Sequence, residues 1–346
     1  EWGLAYPMGA RMMSGNSTLH EQLERELAEF EVKEDSILLN FGYQGIMSTI
    51  DAIFGRHDVI VYDAESHACI IDGLRLHPGH RYVFKHNDVE DCEKQLQRAT
   101  ALIEKNQNGG ILLITEGVFG MAGDQGRLKE IAALRPKYQF RLLVDDAHGF
   151  GTLGKTGAGA GEEQGVQDEI DLYFSTFAKS MASIGAFIAG DADVILFLRY
   201  NMRSQIFAKS LPMLLVEGAL KRLELIRTQP QLKDNLWKIV HALRKGLHEN
   251  GFSTGKSNSP VTPVVLNGTV GEAAALSMDL RENYGIFCSV VIYPVVPKGM
   301  IILRLIPTAV HTLEDVEETV KAFAAVKDKL TSGIYKNSEL ALSFGE

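Results

Sequence analysis

Cysteine is scarce: the 346 residues hold three, Cys69, Cys92 and Cys288, with no CxxC pair among them. That excludes a disulfide framework and a cysteine zinc site, and it fits a reducing cytoplasm. Long apolar runs are missing too. No stretch approaches the ~18 residues of a membrane span, and no signal peptide is visible. Basic runs are absent and the formal charge is −9, which argues against nucleic acid as a partner. What remains is a globular composition, 45% hydrophobic with 33 glycines. It supplies an ample core, and the length permits two or three domains.

The chain is organised around Asp171–Gly190, DLYFSTFAKSMASIGAFIAG. A short apolar strand (Leu172, Tyr173, Phe174) runs through Ser175 and Thr176 to Lys179, followed by Ser180, Ala182, Ser183 and Gly185. Burial among small residues between two apolar strands disfavours the ammonium, so the expectation is a buried, nucleophilic amine. Upstream lies RLLVDDAHGFG, residues 141–151, where an apolar run ends in Asp145, Asp146, Ala147 and His148. In an open α/β sheet, ligands bind at the carboxyl ends of strands, which is where this acid pair falls. A carboxylate and an imidazole facing a nucleophilic lysine suit pyridoxal phosphate. The acid would keep the pyridine nitrogen protonated, and the imidazole would hydrogen-bond the ring hydroxyl.

VDDAHGFGTLGKTGAG followed by STFAKSMASIGAF resembles the α-oxoamine synthases, a branch of the fold-type I pyridoxal-phosphate enzymes. The similarity covers roughly residues 1–330. It implies an aspartate-aminotransferase-like α/β fold, with a large mixed-sheet cofactor domain and a smaller α+β C-terminal domain. The domains expected are an N-terminal loop at 1–16, a cofactor domain at 17–212, a small domain with bridging helices at 213–330 and a tail at 331–346. Relatives carry further residues before the point where this chain opens at Glu1-Trp2-Gly3. Those residues supply an N-terminal arm and part of the acyl-substrate mouth, so the sequence reads as the ordered part of a longer protein.

Site residues follow by position. GARMMSGN near the start is similar to the family's GSRxxxGN segment and is expected as an extended loop. Ser17 can cap a helix to Phe30. After strand Ser36–Asn40, the turn at Gly42-Tyr43 presents free backbone N–H groups to a phosphate, and the family's Gly-Phe/Tyr pair falls there. Strand Val59–Asp63 leads to His67, which matches the histidine that stacks on the pyridine ring in D-x-x-x-H-A-S; Cys69 stands where relatives often have serine. The apolar strand ending in Glu116 continues as EGVFGMAGD, where relatives read EGVFSMDGD, so Gly120 replaces a serine that points toward the cofactor. The cofactor contacts implied are therefore Gly42, Tyr43, His67, Glu116, Asp145, Ala147, His148, Thr176 and Lys179. RSQIFAKSLP resembles a turn that reaches the partner subunit's cofactor phosphate, which adds Ala208 and Lys209. In MIILRLIP, Arg304 sits on an apolar strand, where a buried guanidinium needs an anion, and the family arginine that holds the substrate carboxylate maps there.

GFGTLGKT, residues 149–156, matches the P-loop pattern GxxxxGK[ST]. A P-loop needs a helix starting at Lys155-Thr156, and GAGAG follows instead, so a structural loop is the better reading. The resemblance thus implies decarboxylative condensation of an amino acid with an acyl thioester. Lys179, Asp145, His67 and His148 would carry the catalysis, and no metal is needed. SHACIIDGLRL and FAKSMASIGAFIAGDADVI look most like bacterial serine palmitoyltransferases, which suggests serine, or a polar amino acid such as cysteate, with a long acyl chain on CoA or acyl carrier protein. Glycine C-acetyltransferase and 8-amino-7-oxononanoate synthase are the alternatives, and nucleotide hydrolysis is a remote one. A silent regulatory subunit would be expected to lack the lysine. The partners expected are a second copy sharing the active site and, without a span, at most peripheral membrane contact.

Overall fold

The computed structural model describes residues 9–293, 295, 296 and 298–338. Packing gathers the described residues into two units: those up to Phe119 with Gln125–Thr228, and Gly120–Asp124 with the described residues from Gln229 on. The break therefore falls after Thr228, beyond the expected boundary at 212, because the helix Met213–Thr228 packs on the chain's first helix.

In the first unit, α1 (Thr18–Phe30) starts where the Ser17 hydroxyl accepts the His20 N–H, and it buries Leu23 and Leu27. Strands and helices then alternate: β1 (Asp35–Leu39), α2 (Gly42–Ile53), β2 (Val59–Asp63), α3 (Ala68–Leu76), β3 (His80–Phe84), α4 (Val89–Asn106) and β4 (Ile111–Glu116). After α5 (Leu128–Ala132) come β5 (Arg141–Asp145), α6 (Ala160–Glu163), β6 (Leu172–Thr176) and β7 (Ala186–Gly190). The unit ends with α7 (Ala192–Asn201), α8 (Arg203–Ile206) and α9 (Met213–Thr228). The seven strands form one mixed sheet, ordered β1-β7-β6-β5-β4-β2-β3, in which β7 pairs antiparallel with both neighbours. Strands β4 and β6 are buried along their whole length, as continuous apolar runs in a covered sheet must be. Because β2, β4, β5 and β6 are parallel, their carboxyl ends Asp63, Glu116, Asp145 and Thr176 share one edge.

One local expectation changes. Arg11–Gly15 is a turn of π-helix rather than extended loop, anchored by two Arg11 hydrogen bonds to the Glu24 carboxylate at 2.7 and 3.0 Å. Helix α4 ends at Asn106, where Gln107 takes the left-handed region. As the glycines after it imply, no helix starts at Lys155-Thr156. Those glycines have a physical cause. A Cβ on Gly117, Gly149 or Gly159 would lie 2.0, 2.1 or 1.8 Å from the Asp146 carboxylate, so backbone is packed directly against a buried acid.

The second unit holds α10 (Pro230–Glu249), β8 (Thr262–Asn267), α11 (Val270–Tyr284), β9 (Ser289–Val291), β10 (Met300–Leu305) and α12 (Leu313–Thr331). Its strands form an antiparallel sheet, β8-β10-β9, and capping boxes at Thr269/Glu272 and Thr312/Asp315 start α11 and α12. Leu243, Leu247, Phe252, Leu303 and Phe323 lie in its core. The expected tail is part of this unit up to Ser338: Tyr335 is buried and its hydroxyl donates to Asp279. Residues 339–346 and the first eight lie outside the described residues.

Gly159 has φ 94° and its Cβ would strike Asp146, whereas Gly165 has φ 68° with nothing within 4 Å. Gly159→Ala should therefore cost about 3 kcal/mol and Gly165→Ala about 1 kcal/mol, the backbone part alone. Urea unfolding measures both, and equal losses would refute the close approach.

Candidate active site

Lys179 stands on the loop between β6 and β7. Phe177 N–H donates to the Gly185 carbonyl (2.9 Å), Ser183 N–H to that of Phe177 (2.8 Å) and Ala182 N–H to that of Lys179 (3.0 Å). So tight a closure puts Ala182 at φ 43°, a conformation costly for a residue with a Cβ. The Thr176 hydroxyl donates to the Gly185 carbonyl at 3.0 Å and accepts the Ala178 N–H at 3.2 Å. Thr176 thus shapes the lysine loop. Lys179 itself is exposed, which corrects the expectation of an amine activated by burial: Ala178, Ser180, Ala182 and Ser183 are too small to cover its stem. Its partner is His148, with Nζ 3.2 Å from Nε2.

Near this pair lie two buried acids. Glu116 and Asp145 face each other across β4 and β5, and both are about 5% exposed. Burial, reinforced by the neighbouring Asp145 charge, pushes Glu116 well above the usual carboxylate range. Burial pushes Asp145 up to about 6, opposed by the Lys179 charge and by the Ala147 N–H, which donates to Asp145 Oδ1 at 3.1 Å. Ala147 therefore holds the acid through its backbone. Cys69 Sγ lies 3.9 Å from Asp145 Oδ2, and Glu116 accepts the backbone N–H of His67. The His67 ring has its pKa lowered by burial and by Lys179, and Tyr43 meets it edge-on, centroids 6.2 Å apart.

Gly42 opens α2, where Phe41 offers no side-chain cap, and a Cβ on Gly42 would lie 3.1 Å from the Thr176 side chain. Uncapped N–H groups beside a bare backbone suit a phosphate. A flat ring with a cationic nitrogen would bring Asp145 the counter-charge that its burial demands. The residues present fit pyridoxal phosphate.

Lys179, His148, Asp145, Glu116 and His67 come together. Ala208 and Lys209 do not join them in the described contacts: they line a separate small recess with Asn40, Ser204 and Leu211, and the Lys209 carbonyl accepts from the Asn40 amide. Arg304 belongs to the second unit. It is half-buried, its Nη1 donates to the Gly120 carbonyl at 2.9 Å, and its buried Nε has no hydrogen-bond partner among the described residues. Sequence reasoning missed Asp146. The acid doublet followed by glycines was the available signal, since crowded glycines mark a close backbone approach. Asp146 accepts from Ala160 N–H at 2.7 Å and Tyr173 hydroxyl at 3.1 Å, and burial pushes its pKa up to about 7.

The profile of the family described as aminotransferase class I and II matches residues 5–323. The chain is 62% identical, over all of its length and 83% of the relative, to a cysteate-C-fatty acyltransferase of Capnocytophaga ochracea. It is 36% identical, over 92% of its length and 78% of the relative, to a serine palmitoyltransferase of Sphingobacterium spiritivorum. A solved serine palmitoyltransferase of Sphingomonas wittichii superposes with a TM-score of 0.88 at 33% identity, over 93% of this chain and 79% of that one. Another, from S. paucimobilis, carries a bound PLP–myriocin adduct and gives 0.87 at 30% identity, over 94% and 80%. No described helix is long and apolar enough to cross a membrane.

Asp146 gives a pH signature. Its folded pKa of about 7 exceeds an unfolded value of about 4, so the folded state binds the extra proton between them. Stability from this group is complete below about pH 4 and is lost as pH rises through about 7, at about 1.4 kcal/mol per unit. Urea unfolding at pH 5 and pH 7 should show that decline in the wild type and a shallower one in Asp146→Asn. Parallel profiles would mean that Asp146 is ionised throughout.

Proposed function

The chain belongs to the aminotransferase class I and II family, and from that premise we propose that it joins L-cysteate to a fatty acyl thioester, with pyridoxal phosphate as cofactor. The 62% identity to a cysteate-C-fatty acyltransferase carries the choice of amino acid; the serine palmitoyltransferase relatives, at 36 and 37%, make serine the second reading. In the reaction, the amino-acid α-carbon forms a bond to the acyl carbonyl carbon, the thiol leaves and the amino-acid carboxylate departs as CO₂. The product is a 2-amino ketone that keeps the sulfonate.

When bound, pyridoxal phosphate supplies the electron sink that stabilises negative charge on the α-carbon. The chain's residues do the rest. Lys179 would hold the cofactor through Nζ and would take the α-proton of the amino acid, with His148 as its hydrogen-bond partner. Asp145 keeps the ring nitrogen protonated. The Gly42-Tyr43 end of α2 would hold the phosphate, and His67 would lie beside the cofactor and donate a hydrogen bond to the substrate. Glu116 fixes the His67 backbone. Arg304 takes the substrate carboxylate, which would satisfy its unpartnered Nε. Ala208 and Lys209 reach the cofactor phosphate of a second subunit.

A homodimer is part of this reading. Leu196, Phe197, Tyr200, Phe207 and Leu214 are all exposed within one run of the first unit, apolar side chains that a subunit interface would cover. The three cysteines are buried and unpaired, which suits a reducing cytoplasm. The acyl group would arrive on CoA or acyl carrier protein.

Titrating the pyridoxal-phosphate-loaded protein with cysteate, serine, glycine and alanine tests the substrate. The visible absorption band should shift at the lowest concentration with cysteate, and a preference for serine would favour the second reading. Lys179→Ala should lower turnover by about a hundred- to ten-thousandfold, and intact turnover rejects its assignment. Arg304→Ala should raise KM for the amino acid about ten- to a hundredfold, the loss of a charged hydrogen-bonded pair, with a smaller change in kcat. Equal falls in kcat and kcat/KM would place Arg304 elsewhere.

A further inference from the structure

His67 is the N-cap of α3, and its Nδ1 accepts the Cys69 backbone N–H at 3.3 Å. A backbone N–H only donates, so Nδ1 presents its lone pair and the neutral ring carries its proton on Nε2. Cys69 Sγ lies 2.9 Å from the same Nδ1 and 3.9 Å from Asp145 Oδ2. Two acceptors lie within reach of the thiol's single proton, and since Nδ1 accepts, the 2.9 Å contact to Nδ1 takes it ahead of the 3.9 Å contact to Asp145 Oδ2. The sulfur keeps its proton: Cys69 is 3% exposed, and burial beside the Asp145 and Glu116 carboxylates raises its pKa.

We propose that Cys69 is a positioning residue whose thiol, donating to Nδ1, holds His67 in the Nε2–H form, so that His67 meets the substrate as a neutral hydrogen-bond donor and not as a base. Every element packed around the ring is consistent with this. Tyr43 approaches from α2, Glu116 from β4 takes the main-chain N–H rather than the ring, and Asp145 on β5 contacts the thiol. Lys179 is the cation that acts on the ring, and it opposes protonation. The role in catalysis rests on the function proposed above; the state of the ring does not.

Long-range ¹H–¹⁵N spectra of the full chain labelled at histidine, recorded across pH with and without pyridoxal phosphate, read the tautomer directly. His67→Gln identifies the signal. The wild type and Cys69→Ser should both show Nε2–H with a depressed ring pKa. Cys69→Ala, which keeps the backbone N–H but loses the thiol donor, should raise that pKa by about half a unit. A wild-type ring protonated on Nδ1 overturns the proposal even if no variant folds, and so does a Cys69→Ala ring indistinguishable from wild type. Because the spectra need no turnover, a wrong choice of amino acid would leave their result unchanged.

Discussion

Two carboxylates follow one another at the end of β5, and most of the site is arranged around them. Successive residues of a strand point to opposite faces, so Asp145 meets Cys69 and the lysine loop while Asp146 turns into the core, fully buried. Neither can be dry without partners. Asp146 takes its hydrogen bonds from Ala160 and Tyr173, and the chain comes near enough to give them only because Gly117, Gly149 and Gly159 have no Cβ. The glycine-rich stretch after β5 is thus the consequence of a buried acid. Its likeness to a nucleotide loop is incidental.

The sheet sorts charge by depth. Parallel strands β4 and β5 bring Glu116 and Asp145 to the same edge, dry and reluctant to ionise. Above them, Lys179 is exposed and in contact with His148. A buried acid under an accessible amine matches a cofactor with one cationic ring nitrogen and one reactive carbon. Binding would relieve the desolvation of Asp145, so part of the affinity comes from a cost already present in the folded chain.

Several side chains that line up in sequence with cofactor contacts act here by holding other groups. Thr176 closes the lysine loop, the Ala147 N–H steadies Asp145, and Glu116 fixes the His67 backbone. Cys69, a small change from serine on paper, touches both the His67 imidazole and the Asp145 carboxylate.

The sequence by itself determined the alternation of strands and helices, the Ser17 cap, the parallel order implied by unbroken apolar runs, and the lysine, acid and imidazole with their family. These are legible because apolar period, cap chemistry and motif spacing are local. Tertiary structure alone decided that Lys179 is exposed, since exposure depends on what packs over a loop. It also decided that Arg11 winds a π-turn onto Glu24, that helix Met213–Thr228 packs with the first unit, that Asp146 is fully buried and that Cys69 touches His67 and Asp145. Each rests on contacts between residues distant in the chain, and no local pattern encodes those distances.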